Sequence, residues 1–209
     1  MKNPSTPPVD DPLASALYAR GSTYEERDFI SELNRKRDWD GLLGFALALM
    51  RRDPGGSDGG VLAGYAWLRL GEYPKTVASL SQVVRQNPED VAAWNLLGEA
   101  QRRAGQPGQA VRTLERASIV GRTSYVTFFF LGEAYRDAQR LDQAIPSYRE
   151  SVRLEPEFAR GWFELGAVCV RTGDRDDVTA ALENLQKLDK ALAGELKKRS
   201  EANPSKPTR

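Results

Sequence analysis

The sequence predicts an all-α fold, a right-handed α-solenoid of stacked antiparallel helix pairs with a C-terminal capping helix. Three regularities support this prediction. Prolines 54 and 88 are 34 residues apart. Within each 34-residue period, apolar residues recur every three or four positions in two runs separated by a turn, which is typical of two amphipathic helices. Glycines recur at the same interval of 34 residues: Gly64, Gly98, Gly132 and Gly166.

One period illustrates the pattern. From Val91 to Ala104, Trp94 and Leu97 belong to an apolar stripe with helical spacing. Gly105–Gly108 interrupts this stripe, and a second amphipathic stretch follows over 110–119. A single helix pair cannot bury both of its stripes, so each pair needs a neighbour and the pairs are expected to stack.

The period divides the chain in order. Residues 1–22 are proline-rich and are expected to be mostly disordered, with one short helix over 13–19. Asp189 is expected to N-cap a capping helix over 189–200, and a disordered tail follows over 201–209. Between these ends lie a degenerate copy at 23–56 and four better copies at 57–90, 91–124, 125–158 and 159–192.

Two local segments need a separate interpretation. Asp53–Gly60 is rich in glycine and carboxylates, but it lacks the acidic spacing of an EF-hand and the lysine of a P-loop. Its glycine-rich part, 55–60, is therefore interpreted as a linker that can let the first copy hinge. Tyr125–Phe130 resembles a strand by composition, but its phase in the repeat predicts a first helix, with Phe128 in the core and Phe129 toward a binding groove.

Composition excludes several kinds of site. The 209 residues include no histidine and one cysteine, Cys169, and the net charge is +1. Histidine-based nucleophile activation, histidine metal ligands and multi-cysteine zinc sites are therefore excluded. We expect a buried Cys169, no metal, no cofactor and no enzymatic activity. The near-neutral charge gives no general attraction for nucleic acid. No apolar run resembles a secretory signal or is long enough to span a bilayer, so we expect no membrane insertion and predict a cytoplasmic protein.

The repeats resemble the tetratricopeptide repeat over residues 23–192. The resemblance is less complete where Gly60 replaces an aromatic residue, where Glu26 and Ile30 replace an aromatic residue and a glycine, and where Arg122 and Lys190 replace proline. The best copy, 125–158, carries the signature residues Phe128, Leu131, Gly132, Tyr135, Ala144, Tyr148 and Pro156.

The resemblance implies that the first helix of each pair lines a concave groove that binds a segment of another protein. Projected onto this sequence, it indicates Asp58 and Val61 in the second copy. It further indicates the following groove residues: Tyr65, Arg69, Asn95, Glu99, Arg102, Arg103, Phe129, Glu133, Arg136, Asp137, Arg160, Phe163 and Arg171.

The projected groove contains six arginines and four carboxylates, and Tyr65, Phe129 and Phe163 are expected to act as apolar anchors. Arginine and aromatic residues dominate binding hot spots, so we expect a partner segment with acidic and apolar side chains. The alternative is that the arginines form ion pairs on the helix surface with Glu99, Glu133 and Asp137.

A further comparison within the family excludes one partner class. Members that bind the C-terminal carboxylate of Hsp70 or Hsp90 use a lysine–asparagine pair, an asparagine and a lysine–arginine pair from three successive copies. In the last three copies these positions hold Asn95 and Glu99, then Phe130, then Arg160 and Glu164. No other register restores the pattern, so a chaperone carboxylate clamp is not expected.

The predicted function is that of a protein–protein interaction module, such as an adaptor, scaffold or chaperone-like protein. The alternative is a self-assembling structural protein that forms homo-oligomers. RNA binding is disfavoured because acidic residues interrupt the arginines of the groove.

Overall fold

The computed structural model describes residues 13–14, 20–21 and 23–202. These residues form eleven α-helices and no strand, which confirms the all-α prediction. The helices divide into two compact units, an N-terminal unit ending at Gly121 and a C-terminal unit beginning at Arg122. No helix of the described ranges is both long enough and apolar enough to cross a bilayer.

In the N-terminal unit each helix packs against the next, and α3 also packs against α5. The first helices of its pairs are therefore α1, α3 and α5. The bounds are α1 Tyr24–Lys36, α2 Trp39–Arg52, α3 Asp58–Leu70, α4 Tyr73–Gln86, α5 Val91–Arg103 and α6 Pro107–Val120.

In the C-terminal unit α7 packs against α8, α8 against α9, and α9 against α10, while α11 packs against both α9 and α10. The first helices of its pairs are α7 and α9, and α11 caps the last pair. The bounds are α7 Tyr125–Asp137, α8 Leu141–Leu154, α9 Ala159–Thr172, α10 Arg175–Leu188 and α11 Lys190–Ala202.

Side-chain caps explain where several helices begin. The Asp90 carboxylate accepts a 3.0 Å hydrogen bond from the Ala93 amide at the start of α5. Asp189 accepts bonds of 2.9 and 3.1 Å from the Ala191 and Leu192 amides at the start of α11. These bonds satisfy amides that have no partner inside the helix.

The recurring glycines let second helices approach first helices closely. A Cβ at Gly64 would lie 2.7 Å from Leu80, and a Cβ at Gly132 would lie 2.7 Å from the ring of Tyr148. Leu80 and Tyr148 are fully buried and are themselves 68 residues apart, two periods. The glycine column and this large-residue column therefore form the repeated contact of the core.

The prediction for Phe128 and Phe129 is wrong. Phe129 is fully buried, whereas Phe128 is partly exposed. The Phe129 ring packs edge-on against Phe158, with ring centroids 4.9 Å apart, and lies 6.0 Å from the ring of Tyr148. Contacts with these two rings place Phe129 in the core. The helix predicted over 13–19 lies largely outside the described residues, as does the tail beyond 202.

Candidate protein-binding faces

In the N-terminal unit, the predicted residues Glu99, Arg102 and Arg103 form one cluster on α5. Nε of Arg102 lies 2.8 Å from Oε2 of Glu99, and Nε of Arg103 lies 2.6 Å from Oε1. The Glu99 side chain is 1% exposed, whereas that of Arg103 is 42% exposed. The geometry follows from the helix, because residues three and four positions apart lie on the same side.

A second cluster forms around Tyr65 on α3. Its hydroxyl lies 3.1 Å from Oδ1 of Asn34, and its ring packs edge-on against Trp39 at 5.9 Å. The guanidinium of Arg69 lies over both rings, 4.9 Å from the centre of Trp39 and 5.6 Å from that of Tyr65. Tyr65 is fully buried, so it is part of the packing between α1, α2 and α3 and not an exposed anchor.

Asn95, one turn before Glu99 on α5, is also buried. Its Oδ1 atom accepts no hydrogen bond from the described residues. A buried acceptor without a donor is uncommon in folded proteins, because its desolvation is then uncompensated.

In the C-terminal unit, Glu133, Arg136 and Asp137 on α7 occupy the positions equivalent to Glu99, Arg102 and Arg103. Nη1 of Arg136 lies 2.6 Å from Oε1 of Glu133 and 2.6 Å from Oε2 of Glu164 on α9. Nε and Nη2 of Arg136 donate to Asp137, and Nη2 also donates to Glu133. These five bonds match the five N–H groups of a guanidinium, so every donor of the partly exposed Arg136 is bound within the protein.

The electrostatics of this network follow from its burial. Burial, together with the carboxylate of Glu133, raises the pKa of Glu164 above its ordinary value. Burial also raises the pKa of Tyr148, whose hydroxyl donates a 2.7 Å bond to Oε1 of Glu133. For Arg136, burial opposes the charged form, but Tyr148, Glu133 and Glu164 outweigh it and its pKa is raised.

The remaining predicted residues of this unit lie at the ends of α9 and on its buried side. Arg160 and Arg171 are exposed, and the guanidinium of Arg160 lies 5.2 Å from the centre of the Phe129 ring. Phe163 is buried, and Arg199 of α11 lies 4.8 Å from the centre of its ring. Neither Phe129 nor Phe163 is an exposed apolar anchor as predicted.

The alternative prediction, that groove arginines form ion pairs with carboxylates of the same helix, therefore applies to Arg102, Arg103 and Arg136. The predicted count of groove carboxylates also left out Glu164, which binds Arg136. Glu164 was missed because its repeat column contains Leu96 and Phe130, which indicate a core position. Trp39 and Arg199 are not among the predicted groove residues, although the structure places them against Arg69 and Phe163 respectively.

One further polar cluster lies in the C-terminal unit, where Cys169 Sγ and carboxylate oxygens of Asp174 and Asp177 lie within 4.8 Å of one another. Arg149 binds both carboxylates, at 2.8 Å to Asp174 and 2.6 Å to Asp177. Burial, and then Asp177, raises the pKa of the Cys169 thiol. Among the described residues this arrangement is an ion pair beside a buried thiol.

Two sequence-family models match the chain. A tetratricopeptide-repeat model matches residues 61–123, and a TPR-repeat model matches residues 132–173. The chain belongs to the tetratricopeptide-repeat family. The first segment lies in the N-terminal unit except for its last two residues, and the second lies in the C-terminal unit, so each unit contains tetratricopeptide repeats. The predicted fold class, an all-α tetratricopeptide solenoid, is confirmed.

Several known proteins are similar to this chain at low sequence identity. The cell division cycle protein 27 homolog of Caenorhabditis elegans is 24% identical over 176 residues, which are 84% of this chain and 20% of that protein. The chain thus spans about a fifth of the length of this relative. The structure of MamA from Desulfovibrio magneticus RS-1, from its residue 41 to the end, superposes with a TM-score of 0.62 at 21% identity, covering 91% of this chain and 98% of that chain.

A third similar structure is that of YrrB, described as a TPR protein with an unusual peptide-binding site. It superposes with a TM-score of 0.62 at 19% identity, covering 82% of this chain and 89% of YrrB. At these identities the similarity of the solved structures establishes the fold.

Proposed function

We propose that this tetratricopeptide protein binds a segment of another protein on the first helices of its repeats. The observation that carries the proposal is the repeated polar cluster, Glu99 with Arg102 and Arg103 on α5 and Glu133 with Arg136 on α7. A buried carboxylate stabilises a fold no better than an apolar side chain of similar size would. Glu99 and Glu133 stand at equivalent positions, and each holds arginine side chains of its own helix in a fixed orientation. Such fixed side chains on first helices favour a role in binding.

The chemistry of the partner follows from which arginines reach solvent. Arg103, Arg160 and Arg171 are exposed, whereas the five N–H groups of Arg136 are already engaged. Exposed guanidinium groups bind carboxylates with two parallel hydrogen bonds. The proposed partner segment therefore carries acidic side chains next to apolar ones. Its acidic groups would bind Arg103 in the N-terminal unit, or Arg160 and Arg171 in the C-terminal unit.

The known members of the fold are consistent with binding. YrrB has a peptide-binding site according to its description. Cut9, another structural neighbour with a TM-score of 0.69, is described in a hetero-tetramer with Hcn1. Binding also agrees with the chemistry of this chain, whose single thiol is buried and which contains no histidine.

Affinity capture from a cell extract tests the proposal. A double variant, Arg160→Glu with Arg171→Glu, reverses two exposed charges on α9. The matched control, Arg153→Glu with Lys187→Glu, reverses two exposed charges on the second helices α8 and α10. We expect the control to capture the same partners as the wild type and the α9 variant to lose those that bind this face. Equal capture by both variants contradicts binding through α9.

Self-assembly is a second candidate function, favoured by exposed aromatic residues on the first helix pair. Phe29 is 49% exposed although its ring packs edge-on against Phe45 at 5.3 Å, and Tyr24 is 81% exposed. Light scattering across a range of concentrations tests this function. A mass that rises with concentration, and that Phe29→Glu returns to the monomer value, supports it. A monomer at all concentrations excludes it.

A further inference from the structure

Arg20 precedes the first helix and forms a partly buried ion-pair site with two carboxylates distant in sequence, of which Asp58 is 41% exposed. Its Nη1 and Nη2 atoms lie 2.9 and 2.8 Å from the two carboxylate oxygens of Asp90. Nη1 also lies 3.0 Å from Asp58 and 3.4 Å from the hydroxyl of Ser57. The Arg20 side chain is 13% exposed and that of Asp90 is 5% exposed, so this contact is largely removed from water.

The backbone next to Arg20 is fixed in the same place. The Gly21 amide donates a 3.0 Å bond to Oδ2 of Asp58, and the Gly21 carbonyl accepts a 3.1 Å bond from Nε of Arg27. Gly21 has φ +97°, in the left-handed region that favours glycine. Leu13 and Ala14, further upstream, are buried as well.

The two carboxylates lie at the beginnings of neighbouring first helices. Asp58 is the first residue of α3, and Asp90 caps α5. Asp58 is also one of the positions at which the family resemblance indicates groove lining. Val61 and Tyr65, the next such positions on α3, are fully buried and belong to the helix packing. Arg20 therefore joins the two helices at one end of the face that we propose for partner binding.

We propose that Arg20 is an intramolecular ligand of an arginine-binding site formed by Asp58 and Asp90, and that an arginine-bearing segment of a partner protein displaces it. Arg20 and Gly21 then act as an autoinhibitory contact on the α3–α5 face. The inference rests on the proposed function in one respect, namely that the first helices α3 and α5 bind a partner protein.

The chemistry of the site selects for arginine. Two nitrogens of one guanidinium meet the two oxygens of Asp90 while a third bond reaches Asp58, an arrangement that the compact ammonium of lysine cannot reproduce. Removing Arg20 without replacement would leave the nearly buried Asp90 carboxylate without its cation, which costs free energy. An incoming segment therefore displaces Arg20 readily only if it supplies a guanidinium of its own.

A labelled synthetic peptide with the sequence of residues 11–23 tests the site without any unidentified partner. Its affinity is measured by fluorescence anisotropy for the full-length wild type and for full-length Arg20→Ala, with Arg35→Ala, an exposed arginine of α1, as matched control. Because an attached ligand competes at a high effective concentration, we expect Arg20→Ala to bind the peptide at least about tenfold more tightly than the wild type or the control. A peptide with alanine in place of its arginine should bind none of them.

Two further variants keep the test decisive if Arg20→Ala unfolds. Gly21→Ala disfavours the left-handed backbone while leaving Arg20 and both carboxylates in place, so it should also increase peptide binding. Asp58→Asn in the same background should reduce that binding. Equal binding by the wild type and the Gly21→Ala variant, or binding that ignores the peptide arginine, overturns the proposal. Loss of partner capture by the α9 variant is a separate result, which bears on the proposed function alone.

Discussion

The hydroxyl of Tyr148 donates a 2.7 Å hydrogen bond to Oε1 of Glu133, and both side chains are buried. The ring of the same tyrosine packs onto Gly132, at the repeated contact between first and second helices. Tyr148 therefore couples the core of the C-terminal unit to the polar network of Glu133, Arg136 and Glu164. The orientation of that network depends on a residue of a second helix.

Replacing Tyr148 with phenylalanine should destabilise the chain while leaving its helix content intact. The substitution removes a donor from a buried carboxylate, a loss of about 1.5–3 kcal/mol for a hydrogen bond to a charged group. Urea unfolding followed by circular dichroism measures the change. Tyr125→Phe, at a half-buried tyrosine, is the control and should change stability by less. Equal losses in the two variants would show that the Glu133 contact contributes nothing specific.

Gly132→Ala should also be destabilising, for a steric reason. The added Cβ would lie 2.7 Å from two ring carbons of Tyr148, and overpacking of this kind costs about 1–3 kcal/mol. Gly194→Ala is the matched control, because a Cβ there meets nothing within 4 Å. Alanine is the better helix former, so the control should be neutral or more stable by up to about 1 kcal/mol. Thermal unfolding of both variants distinguishes these outcomes, and a stabilised Gly132→Ala protein would refute the close contact.

The partly buried Glu164 carboxyl should make stability depend on pH. Burial and the neighbouring Glu133 raise its pKa in the folded chain above the ordinary value of 4.5. From pH 4.5 up to the raised pKa, the folded state binds more protons than the unfolded state. The free energy of unfolding contributed by this group therefore falls as pH rises through that window.

The Glu164→Gln variant isolates this contribution. The stability of the variant relative to the wild type should increase as pH rises above 4.5. Glu183→Gln, at an exposed carboxyl on α10, is the control and should show no such trend. Urea midpoints measured across this pH range provide the comparison. A relative stability that stays constant or decreases with pH contradicts the assignment.

Cys169 should react slowly with thiol reagents while the chain is folded. Burial, and then the carboxylate of Asp177, raises its pKa, and the thiolate is the reactive form. Labelling with a disulfide reagent near neutral pH should be at least about tenfold slower in the folded chain than in urea. Similar rates in the two conditions would show that Cys169 is accessible.

The repeat architecture could be predicted from the sequence because the same contacts recur at the same interval. The Trp94 indole donates a 2.8 Å bond to the Pro88 carbonyl, and the Trp162 indole donates a 2.9 Å bond to the Pro156 carbonyl. In both pairs the tryptophan lies near the start of a copy, six residues after the proline near the end of the preceding copy. Because the same contact recurs after two periods, its residues recur in the sequence at that interval, so helix pairs and turns could be assigned from one sequence.

The orientation of the phenylalanines could not be predicted. Three consecutive phenylalanines, 128–130, satisfy the apolar stripe in more than one rotation of α7. The rings of Tyr148 and Phe158 decide between the rotations, and they come from α8 and from the residue before α9. Such a choice depends on contacts between helices and leaves no local pattern.

The polar network around Arg136 and the Arg20 site could not be predicted from the sequence for a related reason. Glu164 stands in a repeat column that holds an apolar residue in each of the three preceding copies, and its partner Arg136 belongs to the preceding copy. Arg20 lies in a segment without periodicity and pairs with Asp90, 70 residues away. Pairings between residues this distant follow from the fold and become visible only in the structure.

The most direct test of the account is a hydrogen-exchange footprint of the chain bound to a protein that the wild type captures. The first helices α3, α5, α7 and α9 carry the proposed binding faces, and the second helices α4, α6, α8 and α10 serve as internal references. We predict slower exchange on one or more first helices and unchanged exchange on the second helices. Protection confined to the second helices would contradict the account.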